Sequence, residues 1–244
     1  MLKLENVTKT YAGGRVAAVS DLSLEVRKGE IFGFIGPNGA GKTTTIKMIA
    51  GILKPDKGSV TVCGIDMLSR PEAAKQEIGY VPDSSDVYDR LSGLEYLNFI
   101  ADVYGVGKTE RTEHIEKYLT QFGLLGAVGE QIRSYSHGMK QKLLLTAALL
   151  HEPRLWLLDE PLVGLDPKAS HLLKEQMREH CDKGNAVFFS THVLEVAERL
   201  CDRIAVIDSG KVIAVGTLDE LRAGAAGKSL EDVFLRLTGE TEEG

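Results

Sequence analysis

The stretch that decides the fold is Ile31–Leu53, IFGFIGPNGAGKTTTIKMIAGIL. Ile31 to Ile35 is apolar on both faces, as in a parallel strand buried from both sides. From Lys42 onward, Ile46, Ile49, Ala50 and Leu53 recur at helical spacing, and Gly51 falls near that helix's end. Between the two, Gly36-Pro37-Asn38-Gly39-Ala40-Gly41-Lys42-Thr43 fits the phosphate-binding pattern GxxxxGK[ST]. Glycines let successive backbone N–H groups turn toward phosphate oxygens. The following helix offers its positive end to the same anion. Lys42 is placed to reach β- and γ-phosphates, and the Thr43 hydroxyl to coordinate Mg²⁺. A glycine turn alone says little. The buried strand before it and the amphipathic helix after it supply the context the pattern needs.

Further along, LWLLDEP, Leu155 to Pro161, reads as a buried strand that delivers Asp159 and Glu160 at its end. Asp159 suits the shell of a Mg²⁺ ion, through water. Glu160 suits polarisation of an attacking water, as general base or orienting group. In SYSHGMKQK, Ser134 to Lys142, Ser136 reads as a helix cap and Gly138 exposes N–H groups at that helix's start, a second anion-binding end. FFSTH, Phe188 to His192, follows later in the chain.

The surrounding pattern is α/β. Leu2, Leu4 and Val7 suggest a first strand, and Leu22, Leu24 and Val26 a half-buried second one. Strands are expected at Val60–Cys63, Ile78–Val81, Ala186–Ser190, and as a hairpin of Ile204–Ile207 with Val212–Val215. Helices are expected after Ser92 (with Glu95 closing a capping box), from Thr109 to Phe122, after Ser136, from Leu172 to Cys181 and from Val193 to Leu200. Thr217 with Glu220, and Ser229 with Asp232, cap two short closing helices. The chain has 244 residues, a net charge of −6, 43% hydrophobic and 26% charged residues, so it reads as a soluble globular protein. The acidic balance argues against a nucleic-acid partner. No apolar run reaches the roughly 20 residues of a membrane span, and the start lacks a signal-peptide core. Cys63, Cys181 and Cys201 are isolated and read as reduced packing residues of a cytosolic protein. GETEEG at the end reads as a solvated tail.

With these motifs in this order, the sequence resembles the nucleotide-binding subunit of an ATP-binding cassette transporter over nearly its whole length. GPNGAGKTT, Gly36 to Thr44, matches the Walker A loop and LWLLDEP the Walker B strand. YSHGM stands in place of the signature LSGGQ, GLDP (Gly164 to Pro167) in that of the D-loop, and His192 in that of the switch histidine. The resemblance implies a P-loop NTPase core, mostly a parallel sheet, with an N-terminal antiparallel β subdomain and an inserted helical subdomain. It implies one domain over 1–244: a core from about 1–85 and 152–220, a helical part from about 86–151, and a short C-terminal helix and tail from about 221–244. It implies ATP hydrolysis with Mg²⁺. Ser136 and Gly138 then contact the γ-phosphate on a second cassette subunit, identical or related, in a head-to-tail pair. His192 contacts the γ-phosphate of its own subunit, and Tyr11 stacks on adenine.

Three departures stand out. Asp83 occupies the place of a glutamine associated with Mg²⁺ and is one methylene shorter and charged. His137 replaces a glycine and Met139 a glutamine in the signature. The resemblance further implies an integral membrane permease as partner, on the cytoplasmic face of the membrane, met around Asp83 to Tyr104 with Val87, Tyr88 and Leu91 as exposed candidates. Two other readings compete: a soluble cassette ATPase that remodels a macromolecular complex, and a small-molecule kinase. One phosphate loop without a long insert disfavours the first; Asp159-Glu160 with His192 disfavours the second, since they point to water as acceptor. GYVPD, YSHGMKQK and SLEDVFLRLTG resemble exporter subunits for drugs, peptides or lipids.

Overall fold

Strands that are apolar on both faces need cover on both sides. In the computed structural model, which describes residues 1–11, 13, 16–84, 88–223 and 229–238, a sheet and a set of helices provide that cover. The first half of the chain runs β1 (Leu2–Tyr11), β2 (Val16–Val26), β3 (Ile31–Ile35), α1 (Lys42–Ile49), β4 (Lys57–Val62), β5 (Ile65–Asp66), α2 (Pro71–Gln76) and β6 (Ile78–Val81). Three helices follow, α3 (Gly93–Val103), α4 (Lys108–Gln121) and α5 (His137–Leu149). The chain then returns to alternation with β7 (Leu155–Asp159), α6 (Pro167–Asp182), β8 (Ala186–Thr191), α7 (Leu194–Leu200), β9 (Arg203–Asp208), β10 (Lys211–Gly216), α8 (Leu218–Ala223) and α9 (Leu230–Thr238).

The central sheet has the order β10-β9-β3-β8-β7-β6 and is parallel except for the β9–β10 hairpin. The smaller sheet, β2-β1-β4-β5, is antiparallel. The two faces of β7 show why the apolar run is continuous. Trp156 and Leu158 pack with the helical side, among residues of α3, α4, α5 and α6, while Leu155 and Leu157 pack with α1 and the smaller sheet. β8 divides the same way, Val187 and Phe189 to one side, Ala186 and Phe188 to the other. This is the α/β architecture the sequence suggests, with a β subdomain at the start and helices inserted between β6 and β7.

Helix starts follow the local chemistry. Ser92 and Glu95 exchange hydrogen bonds as a capping box, with the Ser92 N–H donating to the carboxylate at 2.7 Å. Thr217 with Glu220 and Ser229 with Asp232 do the same. Two boundaries correct the sequence reading. α6 begins at Pro167 and not at Leu172, because the Asp166 carboxylate accepts the Ala169 N–H at 2.8 Å and proline fits the first helical position. Cys63 leaves β4 and takes a left-handed turn, φ 52. β5 and α2 were not legible, since ID and PEAAKQ carry no apolar period. The cysteines are all free, and burial pushes the Cys181 thiol up to about 12.

The helical insert leans on the sheet at Gly79 in β6. A Cβ there would meet the Ala148 carbonyl oxygen at 2.3 Å and the Pro153 ring at 2.7 Å. The obstacle is backbone on one side and a fixed ring on the other, so α5 must move away. Gly79→Ala is expected to lower stability by about 1–3 kcal/mol, read as a lower urea midpoint at unchanged slope.

Candidate functional site

Parallel strands in register end together, and ligands of such sheets sit beyond their carboxyl ends. Here Ile35 pairs with Thr191, Asp159 with Ser190 and Val81 with Leu158. The chain therefore leaves β3 into Gly36, β6 toward Asp83, β7 into Glu160 and β8 into His192 along one edge. Asn38, Gly39, Gly41, Lys42, Thr43, Thr44, Asp83 and Glu160 line one cleft there, with Ala18 from β2.

The loop is shaped by its own contacts. Gly41 has φ 107, and a Cβ on it would meet the Ala18 carbonyl oxygen at 2.4 Å, so no other residue fits. α1 starts without a side-chain cap, which leaves its first N–H groups facing the cleft. Ala40 is buried, and its carbonyl accepts the Gly210 N–H at 3.0 Å from the β9–β10 turn. The Lys42 ammonium bridges the loop, donating to the carbonyls of Gly36 at 2.8 Å and Pro37 at 3.2 Å. It also lies 3.6 Å from a Glu160 oxygen.

Asp159 is fully buried. Burial pushes its carboxyl up from the ordinary range; the Ser190 hydrogen bond and the nearby Thr43 hydroxyl oppose that, and the charges of Asp83 and Glu160 add to it. The Ser190 hydroxyl donates to Asp159 Oδ1 at 2.6 Å and accepts the Glu160 N–H at 3.0 Å. Asp159 Oδ2 is buried without a hydrogen-bond partner among the described residues. A buried, unpartnered carboxylate oxygen beside the Thr43 hydroxyl, with the exposed Asp83 on the same cleft, is a donor set that a hard divalent cation accepts, and it fits Mg²⁺. Glu160 holds a left-handed backbone, φ 49, and carries its carboxylate back over the cleft, where Oε1 is 3.1 Å from His192 Nδ1.

The structure thus brings Gly36 to Thr44, Asp83, Asp159, Glu160 and His192 to one edge. Three sequence candidates lie elsewhere. Tyr11 ends β1, 43% exposed, and is not among the cleft-lining residues. Ser136 and Gly138 head α5, with the Ser136 hydroxyl accepting the Met139 N–H at 3.3 Å, and line no part of this cleft. The His137 ring occupies the space a Gly164 Cβ would need, 2.2 Å from it, so the signature helix rests on the GLDP turn. Leu91 is half-buried against the helical core, whereas Tyr88 is 61% exposed; Val87 falls outside the described residues. Ser190 was missed. Its signal was a hydroxyl inside the otherwise apolar run of β8.

Residues 19–163 match a family model described as ABC transporter. The linearmycin resistance ATP-binding protein LnrL of Bacillus subtilis is 38% identical over 238 residues, 98% of this chain and 75% of the relative. The Nod factor export ATP-binding protein I of Cupriavidus metallidurans is 36% identical over 96% of this chain and 77% of its own. A solved ATP binding subunit of an ABC transporter superimposes with a TM-score of 0.93 at 35% identity, covering 98% of this chain and 99% of that one. A dimeric ATP-binding cassette in a post-hydrolysis state, bound to ADP and Pi, gives 0.81 at 26% identity, covering 89% and 98%. The chain belongs to the ABC transporter family, as an ATP-binding subunit with ATPase activity.

Proposed function

We propose that this chain energises export through a separate membrane permease, by closing against a second cassette subunit around ATP and reopening after hydrolysis. The observation that carries the reading is the Glu160 carboxylate, 3.1 Å from His192 and 3.6 Å from Lys42 at the mouth of the phosphate loop. A carboxylate at that place can orient a water or take its proton, and His192 fixes where it points. Lys42 and the free N–H groups of α1 bind the triphosphate, with Gly36, Pro37, Asn38, Gly39, Ala40, Gly41, Thr43 and Thr44 forming the cradle. Thr43 and Asp159 hold Mg²⁺, with Asp83 beside them; when bound, the ion supplies positive charge to the phosphate oxygens. Tyr11 stacks on the adenine.

Ser136 and Gly138 lie outside the cleft of their own chain, which supports their service to a partner's nucleotide. The dimeric relatives support the same pairing. Among the described residues no helix is long and apolar enough to cross a membrane. Tyr88, Phe99 and Val103 are exposed apolar residues on the helical insert, with the Tyr88 and Phe99 rings edge to face at 5.9 Å. They support permease contact from the cytoplasmic face of the membrane, with residues of about 86–151 acting as the coupling unit. Relatives named for Nod factor export and linearmycin resistance support export as the direction.

Glu160→Gln should keep nucleotide binding, lower turnover about 10²- to 10⁴-fold, and shift the protein with ATP and Mg²⁺ to a dimer on size exclusion. Normal turnover in that variant would remove Glu160 from the chemistry. His192→Ala is expected to cost about 100-fold in turnover with little change in nucleotide affinity, checked by separate hydrolysis and binding assays. Asp159→Asn takes an uncompensated charge out of the interior. The nucleotide-free variant should melt no lower than the parent at neutral pH and lose the additional stabilisation given by Mg²⁺ over ATP alone, as thermal melts would show.

A further inference from the structure

On the helical insert, away from the nucleotide cleft, a second group of donors converges. Glu110 and His114 stand one turn apart on α4, and Glu152 lies in the turn between α5 and β7, held at φ 49. His114 Nδ1 is 2.8 Å from the Leu150 carbonyl oxygen. A carbonyl only accepts, so Nδ1 carries a proton and Nε2 is the ring nitrogen turned toward the two carboxylates. Nε2 lies 3.6 Å from Glu152 Oε1, and one donor atom from each of the three residues falls within 4.8 Å of the other two. The imidazole side chain is only 13% exposed, so its position is held by packing. Among the described residues, no lysine or arginine pairs with Glu110 or Glu152. Two carboxylates thus meet an imidazole nitrogen with no fixed cation to balance them.

We propose that Glu110, His114 and Glu152 form a binding site for a divalent transition-metal ion of the Zn²⁺ class, which clamps α4 to the C-terminal end of α5. A ligating histidine is ordinarily held by a hydrogen bond from its other nitrogen to a carbonyl or carboxylate, the arrangement Leu150 provides. One imidazole and two carboxylates, with solvent in the fourth position, is a donor set zinc accepts, and the imidazole selects against Mg²⁺ and Ca²⁺. Bond lengths of about 2.0–2.2 Å place neighbouring donors about 3.3 Å apart around a tetrahedral ion. The His114–Glu152 pair is already close to that, and the exposed end of Glu110 reaches it by side-chain rotation. An ordinary ion pair of protonated His114 with Glu152 is the competing account, and it gives Glu110 no part.

The test uses the full chain freed of metal by EDTA and dialysis, without nucleotide. Zn²⁺ is titrated by calorimetry, and Co²⁺ is followed by its visible absorption. One Zn²⁺ per chain is expected that His114→Ala loses, that Glu110→Gln and Glu152→Gln each weaken at least tenfold, and that Asp159→Asn retains. His114→Ala should keep the parent's ATPase rate. Both glutamine variants change exposed side chains, so they serve even if His114→Ala folds poorly. Unchanged Zn²⁺ stoichiometry and affinity in Glu110→Gln and Glu152→Gln would reduce the site to adventitious binding and overturn the proposal. So would the absence of any micromolar Zn²⁺ binding to the parent chain. Neither result depends on the nucleotide reading.

Discussion

The buried carboxylate at the end of β7 is the constraint on which the rest is built. Asp159 is fully enclosed, and one of its oxygens has no hydrogen-bond partner among the described residues. An uncompensated charge in such a place costs several kcal/mol. A chain keeps such a group only where something outside it completes the site. The surrounding parts then have a common logic. Ser190 satisfies one Asp159 oxygen and the Glu160 N–H, and the other oxygen is left without a partner among the described residues. Glu160 gives up a relaxed backbone and turns over the phosphate loop. Lys42 is tethered to the carbonyls of its own loop, which on the proposed function it would exchange for phosphate oxygens.

The same strand end is mechanically tied to the helical insert. Gln141 of α5 reaches the Pro161 carbonyl at 3.5 Å, and Lys142 pairs with Asp166 at 2.9 Å, the residue that caps α6. The His137 ring rests against Gly164 between them. The turn after Glu160 and the head of α5 are therefore held by three contacts within about one helical turn. Whatever repositions Glu160 acts on the helix end that carries Ser136 and Gly138. The histidine that departs from the usual signature glycine adds contact area at this joint, and Gly164, which has no side chain, admits it.

Most of this was legible because each motif sat on an element with a strong period. β3, β7 and β8 announce themselves by apolar runs, and the caps at Ser92, Ser136 and Thr217 are local hydrogen bonds that need no tertiary context. What escaped depends on distance in sequence. Ser190 matters because β8 lies beside β7, which no reading of FFSTH alone reveals. The start of α6 was hidden because Pro167-Lys168-Ala169-Ser170 is polar, although Asp-Pro is itself a start signal. Leu91 looked exposed next to Tyr88, but its carbonyl accepts the Ile132 N–H and its side chain packs on the helical core. The convergence of Glu152 on Glu110 and His114 spans more than thirty residues and has no local signature at all.

On the proposed function, the exposed head of α5 would also set when two subunits can hold together. Its Ser136 hydroxyl accepts the Met139 N–H at 3.3 Å, and the positive end of the helix dipole lies behind that turn. Such an exposed helix end attracts an anion by about 0.3–1 kcal/mol, far too little to bind free phosphate or hold a partner alone. A γ-phosphate already fixed in a neighbour's loop changes the arithmetic. In the proposed pairing it would bring concentrated charge to a place where Lys42, the start of α1 and the opposing helix end act at once. Each half-site would there be weak by itself, so closure would be conditional on the intact triphosphate, and loss of its terminal group would remove the charge that both halves share. A tight site on either chain would bind ATP well and lose the dependence of closure on hydrolysis, the dependence by which the proposed cycle would couple chemistry to a moving partner.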